Sequence, residues 1–319
     1  MSQVKILKII QKVCKEDVVS IAEEIQKLKQ EKDAVILAHY YVPGDVQDIA
    51  DYVGDSFYLS KIATKLENKS IVFAGVEFMG ESAKILNPQK RVFMPDATAD
   101  CPMAHMIELE DIKKVREEYP DVAVVCYINS TAETKTFSDV CVTSSNAVKI
   151  VKNLPNKNIF FIPDQNLGSY VASQVPEKNI ILNPGYCPRH HQLTREQVLE
   201  AKNKYPEALF LAHPECPKSV LEEADYIGST SGIIDYATQS DAKEFIIGTV
   251  IGVFHELKQK NPDKIFHAVS CSQVCVNMEK VTLEKVKMVL ETECNEVFVS
   301  EEVRRKAMAP LKKMLEMAK

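Results

Sequence analysis

The sequence predicts an α/β protein made of three similar small three-layer α/β/α domains, whose parallel sheets are arranged around a pseudo-threefold axis. Three observations predict it. A set of polar and sulfur-bearing markers recurs three times in one order; short continuous apolar runs alternate with helical stretches; and the markers fall where those runs end. In the first copy Ala34-Val35-Ile36-Leu37-Ala38 leads to His39, then to Asp51 and Ser56, then to Cys101. In the second, Val122-Ala123-Val124-Val125-Cys126 leads to Tyr127, Asp139, Ser144 and Cys187. In the third, Ala208-Leu209-Phe210-Leu211-Ala212 leads to His213, Asp225, Thr230 and Cys275. The His/Tyr, Ser/Thr and Cys markers all recur at intervals of 86 or 88 residues, a register that chance rarely keeps three times over. The units divide the chain at 1–107, 108–192 and 193–280, and a C-terminal helical segment, 281–319, completes the first.

The elements follow in order. An N-terminal helix precedes the first repeat. Ile21, Ile25 and Leu28 share one helical face, as do Leu109, Ile112 and Val115 in the second repeat. Thr194 and Gln197 form a capping box that starts the third repeat's helix. The helices of the second and third repeats stop at Tyr119-Pro120 and Tyr205-Pro206, because a proline ring disfavours helical geometry in the residue before it. The runs Ser70–Ala74, Asn158–Ile162 and Glu244–Gly248 read as strands buried on both faces of parallel sheets. Helices over Thr282–Leu290 and Val303–Met317 close the chain, and the Lys-rich stretch from Arg304 to Lys319 reads as a solvated helix face.

Composition excludes several classes. The chain has 319 residues, 45% hydrophobic and 26% charged, which fits a folded globular protein rather than a disordered or fibrous one. Its 39 Lys+Arg against 45 Asp+Glu give a net charge of −6 with no basic block, which argues against nucleic acid as a partner. No apolar run approaches the roughly 18 residues of a membrane span. Lys5, Lys8, Lys12 and Lys15 interrupt the start, so no signal-peptide core is expected and a cytoplasmic location is. In that reducing compartment the nine cysteines are free to bind metal or do chemistry.

If the three sheets point their carboxyl ends at a common axis, His39, Tyr127, His213 and the three cysteines converge on one cavity. Three isolated thiols without paired C-x2-C spacing do not suit a closed structural zinc shell. They suit a metal centre with one position open, such as an iron–sulfur cluster short of its usual fourth thiolate.

The chain also resembles the quinolinate synthase family. The resemblance rests on Ala38-His39-Tyr40-Tyr41, Gln47 through Ser56, Pro163 through Gly168, Gly185-Tyr186-Cys187-Pro188, His213-Pro214-Glu215-Cys216 and Gly228-Ser229-Thr230-Ser231. It implies a [4Fe–4S] cluster held by Cys101, Cys187 and Cys275 with one open iron site. It implies condensation of iminoaspartate with dihydroxyacetone phosphate to quinolinate, with loss of phosphate and water. An L-aspartate oxidase or dehydrogenase is then the supplier of the imine. It assigns acid–base work to Tyr41 and Glu215, with His39, His213 and Tyr127 beside them. Substrate binding falls to His39, Ser56, Tyr127, Asn129, Ser144, His213, Glu215, Ser229 and Thr230. Cys275 is preferred to Cys271 because the family's ligand stands three residues before a Met, here Met278, and because the repeat interval agrees.

Plainer readings apply elsewhere. Cys126 and Cys141 read as core residues, and Cys14, Cys294 and Cys216 as incidental, although Cys216 follows Glu215 towards the pocket. Asp51, Asp139 and Asp225 read as structural carboxylates, and Met79, Met103 and Met106 as packing. Val250 stands after Gly248-Thr249, where the family usually carries an acid, while Glu77 and Gln165 lie near the equivalent place in the other repeats. Two other classes remain open, a structural zinc or iron site on the same thiols and a metal-free binding module for anionic metabolites. Glu215 and Tyr41 favour the enzyme, since a structural site has no use for acid–base groups.

Overall fold

The computed structural model describes residues 21–319; the N-terminal helix, the early lysines and Cys14 lie outside the described residues. Each repeat contributes one four-stranded parallel sheet. The strands are β1 (Ala34–His39), β2 (Tyr52–Gly54), β3 (Ser70–Ala74) and β4 (Arg91–Phe93) in the first. β5 (Ala123–Tyr127), β6 (Val140–Val142), β7 (Asn158–Ile162) and β8 (Asn179–Leu182) form the second. β9 (Leu209–Ala212), β10 (Tyr226–Ile227), β11 (Glu244–Gly248) and β12 (Ile265–Ala268) form the third. All three sheets have one order, β2-β1-β3-β4, β6-β5-β7-β8 and β10-β9-β11-β12, and every pairing is parallel. The central strands are buried along nearly their whole length, as their uninterrupted Val, Ile, Leu and Phe require.

The sequence anticipates three strands per unit, and the structure adds a fourth. β2, β6 and β10 are two or three residues long, too short to carry a pattern of their own. The repeated aspartates bring them into register. Asp51, Asp139 and Asp225 each accept the backbone N–H of the neighbouring strand, from Ile36 at 2.8 Å, Val124 at 2.7 Å and Phe210 at 2.7 Å. Their own N–H groups donate back to the carbonyls of the same three residues. Each also faces a cation from the preceding helix, Lys29 at 2.7 Å, Arg116 at 2.9 Å and Lys202 at 3.7 Å. These carboxylates are structural, as expected.

The caps hold as well. Thr194 and Gln197 make the capping box, and Tyr119 and Tyr205 end their helices. Cys126 and Cys141 are buried and directly opposed across β5 and β6. Cys216 is also buried, its Sγ 3.3 Å from the Gly248 carbonyl, so it packs inside the third unit rather than facing the pocket. Helix Leu283–Thr292 lies on β3, while helix Glu301–Met317 packs on β6, on helix Ala132–Lys135 and on helix Glu77–Leu86. That last helix therefore touches both the first and second units. Its lysines face outward and its Ala307, Pro310, Leu311 and Met314 are buried.

Candidate active site

The carboxyl ends of β1, β5 and β9 carry His39, Tyr127 and, one residue on, His213, and the loops beyond them meet in one cleft. Its lining includes Cys101, Cys187 and Cys275, one from each repeat, together with His39, Tyr41, Ser56, Tyr127, Asn129, Ser144, His213, Glu215 and Thr230. Residues more than 80 positions apart in sequence are thus neighbours here, as the repeat predicts.

Burial pushes all three thiols upward, and each also feels another member of the set or Glu215. Cys275 raises Cys101, Glu215 and then Cys101 raise Cys187, and Glu215 raises Cys275. Three half-buried thiols whose ionisation is opposed by desolvation and by neighbouring negative groups need a bound cation to become thiolates together. Cys187 is set by its backbone: its N–H donates to Asp164 Oδ2 at 3.1 Å, and Asp164 caps helix Gln165–Gln174 by accepting from Leu167 N–H at 2.8 Å. Cys271 is exposed and does not line the cleft.

A hydrogen-bonded chain joins Glu215 to Tyr41. Glu215 Oε2 lies 2.7 Å from His190 Nδ1. His190 Nε2 lies 2.8 Å from Thr249 Oγ1, Thr249 Oγ1 2.6 Å from the Tyr41 hydroxyl, and that hydroxyl 2.8 Å from Thr230 Oγ1. Gly252 lets the third unit's loop lie against the Tyr41 backbone, because a Cβ there would stand 2.6 Å from the Tyr41 carbonyl oxygen. Burial opposes ionisation of Glu215, but His190 and then His213 outweigh it and hold the carboxyl at about 2, so it is ionised at neutral pH. Tyr127 hydrogen-bonds the same carboxylate, and burial followed by that negative charge drives its phenol well above the usual range. Burial, only partly countered by Glu215, lowers His39 and His213 to about 3, which makes both neutral imidazoles. His213 Nε2 reaches Ser144 Oγ at 3.2 Å, and His39 packs edge-on to Tyr41.

Ser56 and Thr230 are the first residues of helices Ser56–Ala63 and Thr230–Gln239, where N–H groups and the helix dipole favour anions. Asn129 carries a buried Oδ1 without a partner among the described residues. Ser229 is the exception in the expected set. It does not line the cleft, and its Oγ caps helix Thr230–Gln239 by accepting from Gly232 N–H at 3.2 Å.

The sequence reading missed His190 and Thr249 as site residues. His190 stood three residues after Cys187, which on helix Pro188–His191 places both on one face, and that spacing was the available signal. The counterparts of Val250 also shift by one. The N–H groups of Glu77, Gln165 and Ile251 make the same hydrogen bond in each repeat, to Ala99, Gly185 and Gln273, so Val250 corresponds to Val76 and Asp164. An apolar residue at this position is therefore present in the first repeat too.

Donor atoms of Cys187, His190 and Glu215 lie within 4.8 Å of one another, so the cleft can hold a metal ion. Residues 23–316 match the family described as Quinolinate synthetase A protein. The chain belongs to that family, an enzyme family of NAD biosynthesis. It is 57% identical to a quinolinate synthase of Fusobacterium nucleatum, over 93% of this chain and 99% of that protein. It is 53% identical to one from Caldicellulosiruptor saccharolyticus, over 95% and 100% of the two chains, and 50% identical to one from Clostridioides difficile, over 92% and 97%. Among the described residues no helix is long and apolar enough to cross a membrane.

Proposed function

We propose that the protein is a cytoplasmic quinolinate synthase that condenses iminoaspartate with dihydroxyacetone phosphate to quinolinate, losing phosphate and water, with a [4Fe–4S] cluster on Cys101, Cys187 and Cys275. The observation that carries the reading is one half-buried thiol from each repeat in a single cleft beside an ionised Glu215. The donor set fits the cluster better than a lone ion on Cys187, His190 and Glu215. His190 Nδ1 lies between Glu215 at 2.7 Å and Cys187 Sγ at 3.2 Å, and Nε2 lies 2.8 Å from Thr249 Oγ1, so its imidazole serves the hydrogen-bonded chain while the three thiols serve the cluster. A cluster bound by three thiolates supplies an iron with an open position, a Lewis acid that polarises a ligated oxygen.

The side chains supply the rest. A carboxyl held that low is by itself a weak base at neutral pH, so Glu215 acts with His190: Nδ1–H donates to the carboxylate, and Nε2, facing Thr249, is the nitrogen that can take a proton. Tyr41 and Tyr127, phenols that stay protonated, deliver protons and hydrogen bonds to developing oxyanions. Neutral His39 and His213 orient the reactants without adding charge. Ser56, Ser144, Thr230 and Asn129 hold carboxylates through hydroxyl, amide and helix N–H groups. The apolar walls, Val76, Phe78, Met79 and Val250, exclude water from an imine that hydrolyses readily. An aspartate oxidase or dehydrogenase supplies that imine.

The test is an anaerobic assay on protein reconstituted with iron and sulfide, given dihydroxyacetone phosphate, aspartate and an aspartate oxidase. Quinolinate formation, seen by chromatography, is expected. Protein with full iron and sulfide that makes none refutes the reaction, and zinc in place of iron and sulfide after purification refutes the cluster.

A further inference from the structure

The cleft has an unbalanced charge inventory. Its acidic lining comprises Asp55, Asp100 and Glu215, beside three thiols. His39 and His213 are neutral, so they offset none of this. Among the described residues Arg189 is the only lysine or arginine that lines the cleft. It is half-buried on helix Pro188–His191, directly after Cys187, and its guanidinium has no hydrogen-bond or ion-pair partner among the described residues. It lines the same cleft as Cys275, which the third unit contributes.

From this placement we infer that Arg189 is the phosphate anchor of the site: its planar fork binds the dianionic phosphate monoester of one substrate and lets the freed phosphate depart along the half-exposed rim. The inference rests on the proposed reaction for its substrate and on the charge inventory for its residue. A carboxylate carries one charge, which neutral hydroxyls and helix N–H groups can meet. A phosphate dianion beside an ionised Glu215 needs a permanent cation, and guanidinium matches two phosphate oxygens at once. Asp55 and Asp100 do not neutralise Arg189, because they are engaged elsewhere. Asp55 accepts from Tyr58 N–H at 2.8 Å and Ser231 Oγ at 2.5 Å, and Asp100 pairs with His105 at 2.6 Å.

The experiment is calorimetric titration of the anaerobic, cluster-loaded protein with inorganic phosphate, and separately with malonate as a dicarboxylate probe. Arg189→Met is expected to weaken phosphate binding about tenfold to a hundredfold, the loss of one charge-assisted pair, with malonate binding changed less than about twofold. KM for dihydroxyacetone phosphate rises more than kcat falls, and Arg189→Lys recovers part of the loss. Unchanged phosphate affinity, or equal loss of both probes, overturns the proposal. Should Arg189→Met shed iron, Arg189→Gln takes its place with the same two outcomes. Phosphate binding through Arg189 in a protein that forms no quinolinate refutes the reaction and leaves the anchor standing.

Discussion

Cys187 and Cys271 differ in burial and surroundings, and that difference predicts opposite results on truncation. Cys187→Ala removes a half-buried thiol from the cleft, and iron and sulfide content after anaerobic reconstitution is expected to collapse. Cys271→Ala removes an exposed thiol outside the lining, and its iron content is expected to match the parent. Full iron in the first variant would remove Cys187 from the ligand set. Thr249→Val keeps volume but cuts the hydrogen-bonded link between His190 and Tyr41. Turnover is expected to fall at least about tenfold with iron retained, since positioned proton transfer contributes roughly a hundredfold or more; an unchanged kcat refutes the link. His39, Tyr127 and His213 were legible because each follows an apolar run in a repeating register. His190 and Thr249 belong to no repeated marker, so their roles emerge only when the third unit packs against the first and second. Ser229 and Thr230 could not be told apart from sequence for a related reason: two adjacent hydroxyls stand at one helix start, and of the two Thr230 lines the cleft while Ser229 caps the helix.

The elements are held in place by a device repeated three times, an aspartate that ties a short edge strand to its central neighbour. Asp139→Ala removes the acceptor of the Val124 N–H and the partner of Arg116. It is expected to cost about 1–2 kcal/mol in urea unfolding, the price of one unpaired backbone donor, while the reaction persists at permissive temperature. A midpoint unchanged within error would show that water replaces the carboxylate at no cost. The aspartates were readable from spacing alone. The strands they fix were not, because β10 has only two residues and its pairing depends on β9 next to it.

For the whole molecule, the C-terminal segment decides how the units hold together. Lys285 Nζ donates to Asp96 Oδ2 at 2.6 Å, tying helix Leu283–Thr292 to the loop after β4. Burial opposes ionisation of Asp96, but the hydrogen bonds from Lys285 and Thr98 prevail and lower it from 3.8 to about 2. A carboxyl lowered on folding stabilises the fold above its unfolded value, and that contribution fades as pH falls from 3.8 towards 2. About 1 kcal/mol is expected, discounted because Lys285 is 38% exposed, and Asp96→Asn should flatten the stability profile over that window. Leu311→Ala empties a fully buried position of helix Glu301–Met317 and is expected to cost about 2–4 kcal/mol in thermal or urea unfolding. The repeat foretold three sheets, but nothing in the composition of this helix told which of them it covers. Its position has a temporal consequence. Synthesis that has reached Cys275 has supplied all three cleft cysteines, while the helix that packs on β6 and on helix Glu77–Leu86 has still to follow. A chain truncated after Asn295 is expected to retain less iron after anaerobic reconstitution than the full chain, and equal iron content would show that this helix is dispensable for assembling the cleft.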